Sequence, residues 1–494
     1  MKKESGRRTF ILKSIGLLVL IIYTGVLFRY NFIRIFDNVL SGDEAYSASL
    51  IGMSLIDMFL ETAADVHPPL YYLFLRFLSL FGNSGTIYHL SALIPYALIM
   101  VFAVVVIRKE FGYVPALILV TMSSMGQSAV KYNVEIRMYS LACMFTLFAF
   151  YEVYRILRRN QWKDWMFFAI FSLGAAYSHY YALLSVAFFY ALFLLLTVRK
   201  REYMKKWAVT SLLTIIGYLP WLYFFLSTFL RVTDSWWVEQ YFSAEDCLLF
   251  LLDYIWVAIV FAAVFVAYMA YGKGLIKITK TVGKKEHTED IHVELGGKIT
   301  QLTSEGVWII WGLVSVIGTA AVGMAVSKLA NPVFIPRYLF PVSASLYLIF
   351  GVCFSKLQMR WVWSICFMAA FLHMEFSVYE PTAYFEEVLS IEADAFCRDV
   401  QLEDDDIFLT NSSHHAWTIL GYYYENYTGK YITELSEAQD VITGKAWLLW
   451  LGELQEEDYV YLKELGWNCE YVRAGYLGEE EVLYIYRLEK TDIY

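Results

Sequence analysis

Apolar residues in this chain gather into long uninterrupted runs. Stretches 12–30, 87–107, 111–129, 138–157, 164–180, 181–198, 207–229, 247–271, 307–328, 338–355 and 359–375 are apolar along their length. At about 1.5 Å of rise per helical residue they are long enough to cross a hydrocarbon layer of roughly 30 Å, most of them upright and the longer ones tilted. The pattern predicts a polytopic α-helical membrane protein with about eleven transmembrane helices. Basic residues collect in one alternate set of loops: Arg108-Lys109, then Arg155, Arg158 and Arg159, then Arg199 to Lys206, then Lys273 to Lys285, then Lys356 and Arg360. Positive loops stay in the cytoplasm, which places the N-terminus there too. The opposite face receives the loop 31–68, the link 130–137, the turn at 178–181, the loop 230–246, the link 329–337 and everything after 375.

Some apolar stretches break the pattern. The apolar stretch 69–81 is too short to span, and the leading Pro68-Pro69 suits a helix start, so it reads as a re-entrant or juxtamembrane helix. Residues 44–60 place Ala45, Ala48, Ile51, Leu55, Met58 and Phe59 at helical spacing, which predicts one amphipathic helix along the membrane surface. The polar stretch 272–305 has no dense apolar face and reads as a cytoplasmic insert or small hairpin. From 376 the pattern changes to short alternating elements. Strands are expected at 406–411, 446–452 and in two closing segments, with helices at 415–427 and 456–466. Residues 1–375 thus form the transmembrane domain and 376–494 a small extracytoplasmic α/β domain.

Composition narrows the reading further. The chain is 59% hydrophobic and 18% aromatic, and its formal charge of −9 makes nucleic acid a poor partner. Its six cysteines have no metal-ligand spacing; Cys397 and Cys469 fall in the outer domain, where a disulfide is chemically allowed.

The groups able to do chemistry sit at the outer ends of helices. Asp43-Glu44 opens the surface helix, where a carboxylate can cap backbone N–H groups or take a proton from a hydroxyl. His67 ends the loop, two residues after Asp65 and six after Glu61. The link carries Lys131, Glu135, Arg137 and Tyr139, and an arginine offers phosphate a rigid donor fork that a nearby glutamate can orient. His179 and Tyr180 lie at a turn between spans, and Arg337-Tyr338 stands between Pro336 and Pro341. Interface anchoring explains arginine and tyrosine at such depths equally well. Trp236, Trp237 and Glu239 suit a lid over the cavity or the interfacial aromatic belt. His414-His415, adjacent in a helix, do not face one ligand.

Taken in order, Gly42-Asp43-Glu44-Ala45, His67-Pro68-Pro69-Leu70-Tyr71-Tyr72, Glu135-Ile136-Arg137-Met138-Tyr139, Ser178-His179-Tyr180 and Pro336-Arg337-Tyr338 resemble the GT-C superfamily of membrane glycosyltransferases. The resemblance is to the bacterial group similar to protein O-mannosyltransferases and to the lipid A aminoarabinose transferase, and covers about 1–375. It implies an inverting transfer from a polyprenyl-phosphate-linked sugar, at the external face of the plasma membrane, to a protein, glycan or lipid acceptor. Carried over residue by residue, Asp43 becomes the general base, with Glu44 in support. Arg137 and Arg337 hold the lipid phosphate, and His67, Glu135, Tyr139, His179, Tyr180 and Tyr338 line the substrate site. Some relatives place a divalent cation, Mg or Mn, near the first-loop acid; Asp43 and His67 are the residues that would take one here. The first external loop lacks the basic residues that relatives acting on lipid A use, which argues against that acceptor.

Two other classes stand beside this reading. A transporter or flippase needs broken or repeated spans with polar groups at mid-depth, whereas the charges here cluster at helix ends. A non-catalytic membrane sensor would leave the acids as helix caps.

Overall fold

The computed structural model describes residues 2–36, 40, 42–234, 238, 240–271, 276–278, 291–295, 298–379, 407–411, 428–432, 434–440, 444–476 and 482–490. Among these, eight helices are long and apolar enough to cross a membrane. They lie at Ile11–Phe36, Gly85–Phe111, Tyr139–Arg159, Tyr180–Arg199, Arg201–Arg231, Ser304–Leu329, Pro336–Ser355 and Arg360–Val378. A ninth is added if Ala244–Leu252 and Ile255–Met269, bent by 86° from each other, form a single span. The chain is therefore a multi-pass α-helical membrane protein with a small C-terminal β-sheet domain. Two helices the sequence also predicts as crossings are shorter, Tyr113–Met125 and Trp162–Ser178.

Chain breaks fall where the backbone chemistry demands them. Gly112, at φ 101°, separates the helix ending at Phe111 from Tyr113–Met125. Asp253, at φ 60°, makes the sharp bend between Leu252 and Ile255. Its carboxylate lies at the start of the helix Gln127–Tyr132, against the N-cap Gly126. That close approach explains glycine at 126, since a Cβ there would lie 2.8 Å from Asp253 Oδ2.

The single surface helix expected over 44–60 is two helices, Gly42–Gly52 and Leu55–Ala64. Ser54 restarts the chain. Its hydroxyl accepts from the Asp57 N–H at 3.2 Å and donates to the Asp57 carboxylate at 2.6 Å, a reciprocal cap that competes with continuing the first helix. The short apolar segment after Pro69 forms a ten-residue helix, Leu70–Ser79.

Packing within the bundle centres on Pro336–Ser355, which is buried throughout from Tyr338 to Ser355. Its neighbour Tyr139–Arg159 is mostly buried and joins Ser304–Leu329 through an aromatic stack: the Phe150 and Trp308 rings lie 4.4 Å apart at 15°, and Trp308 Nε1 donates to the Phe150 carbonyl at 2.8 Å. At one end of Tyr139–Arg159, Arg155 bridges Glu152 (3.0 Å) and the fully buried Asp164 (2.5 Å).

The insert contains three antiparallel strands, β1 (Ile276–Ile278), β2 (Ile291–Leu295) and β3 (Lys298–Leu302), with β3 central. The C-terminal sheet has five: β4 (Ile407–Thr410), β5 (Thr428–Tyr431), β6 (Lys445–Leu451), β7 (Trp467–Tyr476) and β8 (Val482–Lys490), in the order β5-β4-β6-β8-β7. Strand β4 pairs parallel with β5 and β6, while β8 runs antiparallel between β6 and β7. The helix Glu456–Glu464 connects β6 to β7, and Leu462 joins Leu448, Trp467, Tyr486 and Leu488 in the core. Strands and helix match the expected positions except for β5, which the sequence pattern did not mark. The helix expected at 415–427, and Cys397 as partner for Cys469, lie outside the described residues.

The chain falls into two compact units. One comprises Met1–Ile33, Phe59–Phe74 and His89–Tyr379; the other comprises Arg34–Met58, Leu75–Tyr88 and Glu380–Tyr494.

Candidate active site

The first unit gathers most of the residues singled out from sequence. Between the helices Gln127–Tyr132 and Tyr139–Arg159 the chain leaves helical geometry over 133–138, the stretch carrying Glu135 and Arg137. Irregular backbone at membrane depth is tolerated only when its polar groups are satisfied inside the protein. Here Asn133 Nδ2 donates to the Ser123 carbonyl at 2.8 Å, His89 Nδ1 lies 2.6 Å from the Val134 carbonyl, and Ser140 Oγ donates to the Tyr132 carbonyl at 2.8 Å. The Arg137 N–H donates to the Glu135 carbonyl at 2.6 Å, a tight turn that fixes the direction of both side chains. Asn31 and Asn133, both buried, tie the same segment to the first helix.

Arg137 is 4% exposed, and its Nη2 stands 2.8 Å from His67 Nε2. Glu135 is equally buried. The His67 ring lies 6.1 Å from that of His179, and the His179 ring lies 5.7 Å from Tyr139 and 5.4 Å from Tyr338. Both Arg137 and Arg337 act electrostatically on Tyr139 and on His179, so the two guanidinium groups converge on this pair from different segments. His179 caps the helix Tyr180–Arg199, its Nδ1 accepting from the Tyr181 N–H at 3.1 Å. That places its proton on Nε2. Burial, reinforced by the charges of Arg137 and Arg337, pushes its pKa down to about 3 and keeps the ring neutral.

A separate loop delivers Arg337. The Ser327 hydroxyl accepts from the N–H groups of Val333 (3.1 Å) and Phe334 (2.9 Å), closing the turn after Ser304–Leu329. Ile335 is extended before Pro336, as the residue before a proline prefers, and Pro336 opens the 3₁₀ turn Pro336–Leu339. Arg337 is half-buried and Tyr338 buried. Tyr181 stacks on Tyr338 at 5.1 Å and packs against Phe334 at 5.5 Å.

His67, Arg137, Tyr139, His179, Arg337 and Tyr338 thus form one aromatic-lined, cation-rich cluster, with Glu135 acting on Tyr139 from beside it. Tyr180 turns elsewhere: its hydroxyl accepts from Trp221 Nε1 at 3.2 Å and its ring packs on Phe225. Tyr181 takes the place in the cluster instead. Residues Asn31, His89, Asn133 and Ser327 also escaped the sequence reading. A buried Asn, Ser or His within an apolar run gives no sign of which loop it will anchor.

Asp43 and Glu44 belong to the second unit and occupy the first turn of Gly42–Gly52, where the helix dipole favours them. Glu44 is fully buried and Asp43 half-buried, and the Asp43 carbonyl accepts from the Ser47 hydroxyl at 3.0 Å. Among the described residues no group of three or more His, Cys, Asp and Glu side chains is placed to hold a metal ion. The His67 Nε2 faces the Arg137 guanidinium. Trp236, Trp237, Glu239 and His414-His415 lie outside the described residues.

Residues 66–224, which include His67, Glu135, Arg137, Tyr139 and His179, match the family described as dolichyl-phosphate-mannose-protein mannosyltransferase. The fold is similar to that of ArnT from Cupriavidus metallidurans in the apo state, with TM-score 0.59 and 12% identity over 96% of this chain and 98% of that one. It is also similar to the same protein bound to undecaprenyl phosphate, with TM-score 0.56 and 11% identity over 95% and 97% of the two chains. No curated protein sequence matches the chain.

Proposed function

We infer that this chain is a GT-C-type membrane glycosyltransferase, an inverting enzyme that takes its sugar from a polyprenyl-phosphate-linked donor. The observation that carries this reading is a buried, aromatic-lined cluster in which Arg137 stands 2.8 Å from His67, the His67 ring faces His179, and His179 packs on Tyr139 and on Tyr338, over whose ring Arg337 lies. A lipid phosphodiester needs such a place. Two planar guanidinium groups match its oxygens, and aromatic faces accept a sugar ring or isoprenoid units beside it.

In the proposed reaction Asp43 takes the proton of the acceptor hydroxyl while Glu44 holds the start of its helix. The hydroxyl oxygen attacks the anomeric carbon from the face opposite the phosphate, and the bond from that carbon to the phosphate oxygen breaks. Arg137 and Arg337 stabilise the negative charge that develops on the departing polyprenyl phosphate. Direct displacement inverts the anomeric configuration. The neutral His179, with its proton on Nε2, adds a donor without adding charge, and Tyr139 and Tyr338 wall the site. The isoprenoid tail stays in hydrocarbon throughout, so the donor need not be extracted. We assign no step to a metal ion, and parallel assays with a chelator test that assignment.

The eight long helices, the bent pair counted once, and the shorter Tyr113–Met125 and Trp162–Ser178 make up eleven proposed crossings. With basic loops inside, the N-terminus is cytoplasmic, and the sheet domain and the cluster face the exterior. The acceptor proposed is a protein, glycan or lipid on that external face.

The test is transfer by purified protein from a panel of radiolabelled polyprenyl-phosphate sugars to membrane extract, comparing wild type with Asp43→Asn. Labelled product that disappears in the mutant supports the reading. Equal transfer by both would remove Asp43 from the chemistry.

A further inference from the structure

We propose that His67 is the positioning residue for Arg137: a neutral imidazole, protonated on Nδ1, whose Nε2 lone pair holds the guanidinium in the phosphate site. This rests on the reading that Arg137 binds the donor phosphate.

The chemistry of the contact is one-directional. Arginine has five N–H donors and no acceptor, so the 2.8 Å approach of Arg137 Nη2 to His67 Nε2 is a hydrogen bond only if that nitrogen carries a lone pair. Protonation at Nε2 would set N–H against N–H and one positive charge against another. A histidine here therefore behaves as an acceptor, quite unlike a residue that grips the phosphate itself.

Sequence and burial support the assignment. Pro68 and Pro69 fix the backbone immediately after His67 and start the helix Leu70–Ser79, so the imidazole is held at a rigid corner. His67 is 6% exposed and Arg137 4%, and a buried guanidinium needs acceptors for its N–H groups. On its other side the His67 ring approaches His179, with Arg137 and Arg337 acting on His179 in turn. Asp65, two residues earlier, is occupied at its main-chain oxygen by Arg231 at 3.1 Å.

The proposal makes the grip on phosphate rescuable by an uncharged acceptor. A glutamine at 67 offers a side-chain carbonyl to Arg137 and does not titrate; an alanine offers nothing. The probe is undecaprenyl methyl phosphate, a diester whose single charge does not titrate near neutrality. Its equilibrium binding to the full-length protein in detergent is measured at pH 7.5, with the thermal midpoint of each variant as a check on folding.

His67→Ala is expected to bind about tenfold more weakly at pH 7.5, and His67→Gln within about threefold of wild type, a single neutral hydrogen bond being worth roughly one factor of ten. Unchanged binding by His67→Ala, or a glutamine variant as weak as alanine with its fold intact, overturns the proposal. Arg137→Ala separates the two levels. If that variant binds the probe like wild type, the phosphate reading of Arg137 has failed; if it binds weakly while His67→Ala does not, only the role of His67 has.

Discussion

Tyr181 and Tyr338 stack with ring centroids 5.1 Å apart and planes inclined by 27°, which ties the start of the helix Tyr180–Arg199 to the Pro336–Leu339 turn beside Arg337. Adjacent residues on a helix point about 100° apart, so Tyr180 faces Trp221 and Phe225 instead. Tyr181→Ala is expected to lower kcat/KM about tenfold by loosening Arg337. Tyr180→Ala should leave catalysis within about threefold of wild type and lower the thermal midpoint. Steady-state kinetics and melting of the two variants side by side check the asymmetry.

Arg337 is offered to the site by a proline-bounded turn, and its value lies in the planar fork as much as in the charge. Arg337→Lys keeps the charge and loses the paired donors. It should lose roughly a factor of ten in kcat/KM, and Arg337→Ala roughly a hundred to a thousand, the scale for removing a group that stabilises developing negative charge. A lysine variant equal to wild type in a donor-limited assay would show that charge alone suffices.

His179 carries a pH signature in stability. Its folded pKa is about 3, against roughly 6.5 in the unfolded chain. Above pH 6.5 both states are neutral at this group and it contributes no pH dependence. Between 6.5 and 3 the unfolded chain binds a proton that the folded protein refuses, so stability falls as pH falls, by on the order of 2 to 3 kcal/mol at pH 4.5. His179→Gln should reduce the acid-induced drop in thermal midpoint between pH 7 and 4.5. A drop of the same size in both proteins would assign it to other groups.

Gly351 meets backbone and not a flexible side chain. A Cβ there would lie 2.7 Å from Pro115 Cα, where Phe340–Ser355 packs on Tyr113–Met125. Small residues let membrane helices approach closely, and overpacking costs about 1–3 kcal/mol. Gly351→Ala should therefore lower the thermal midpoint in detergent by several degrees. By contrast, Gly25→Ala, where nothing lies within 4 Å of the added carbon, should leave it unchanged.

The sequence was most informative where a physical constraint acts along a short stretch. Length and hydropathy identified the long apolar helices, Pro68-Pro69 marked the start of Leu70–Ser79, and short apolar runs marked β6 and β8. The cluster of His67, Arg137, Tyr139, His179, Arg337 and Tyr338 was legible as a set because charged groups at helix ends stand out against apolar runs. Its supports were not. Ser327 and Asn133 act across loops and between helices, and nothing local distinguishes them from other buried polar residues. Tyr181 was passed over for Tyr180 because a run of aromatics does not reveal the rotation of its helix. The surface helix divided at Ser54 because its Ser-x-x-Asp cap outweighed a periodicity that runs on through it. Strand β5, Thr-Gly-Lys-Tyr, is four residues long at the edge of its sheet and carries no alternation to read.

The most direct test of the central claim is sugar transfer by the purified full-length protein, comparing wild type, Arg137→Ala and Arg337→Ala across the donor panel and recording the anomeric configuration of the product. Transfer from one polyprenyl-phosphate sugar, with inverted configuration and a loss of at least a hundredfold in each arginine variant, is the expected result. A product of retained configuration, or transfer undiminished in both variants, would contradict the account.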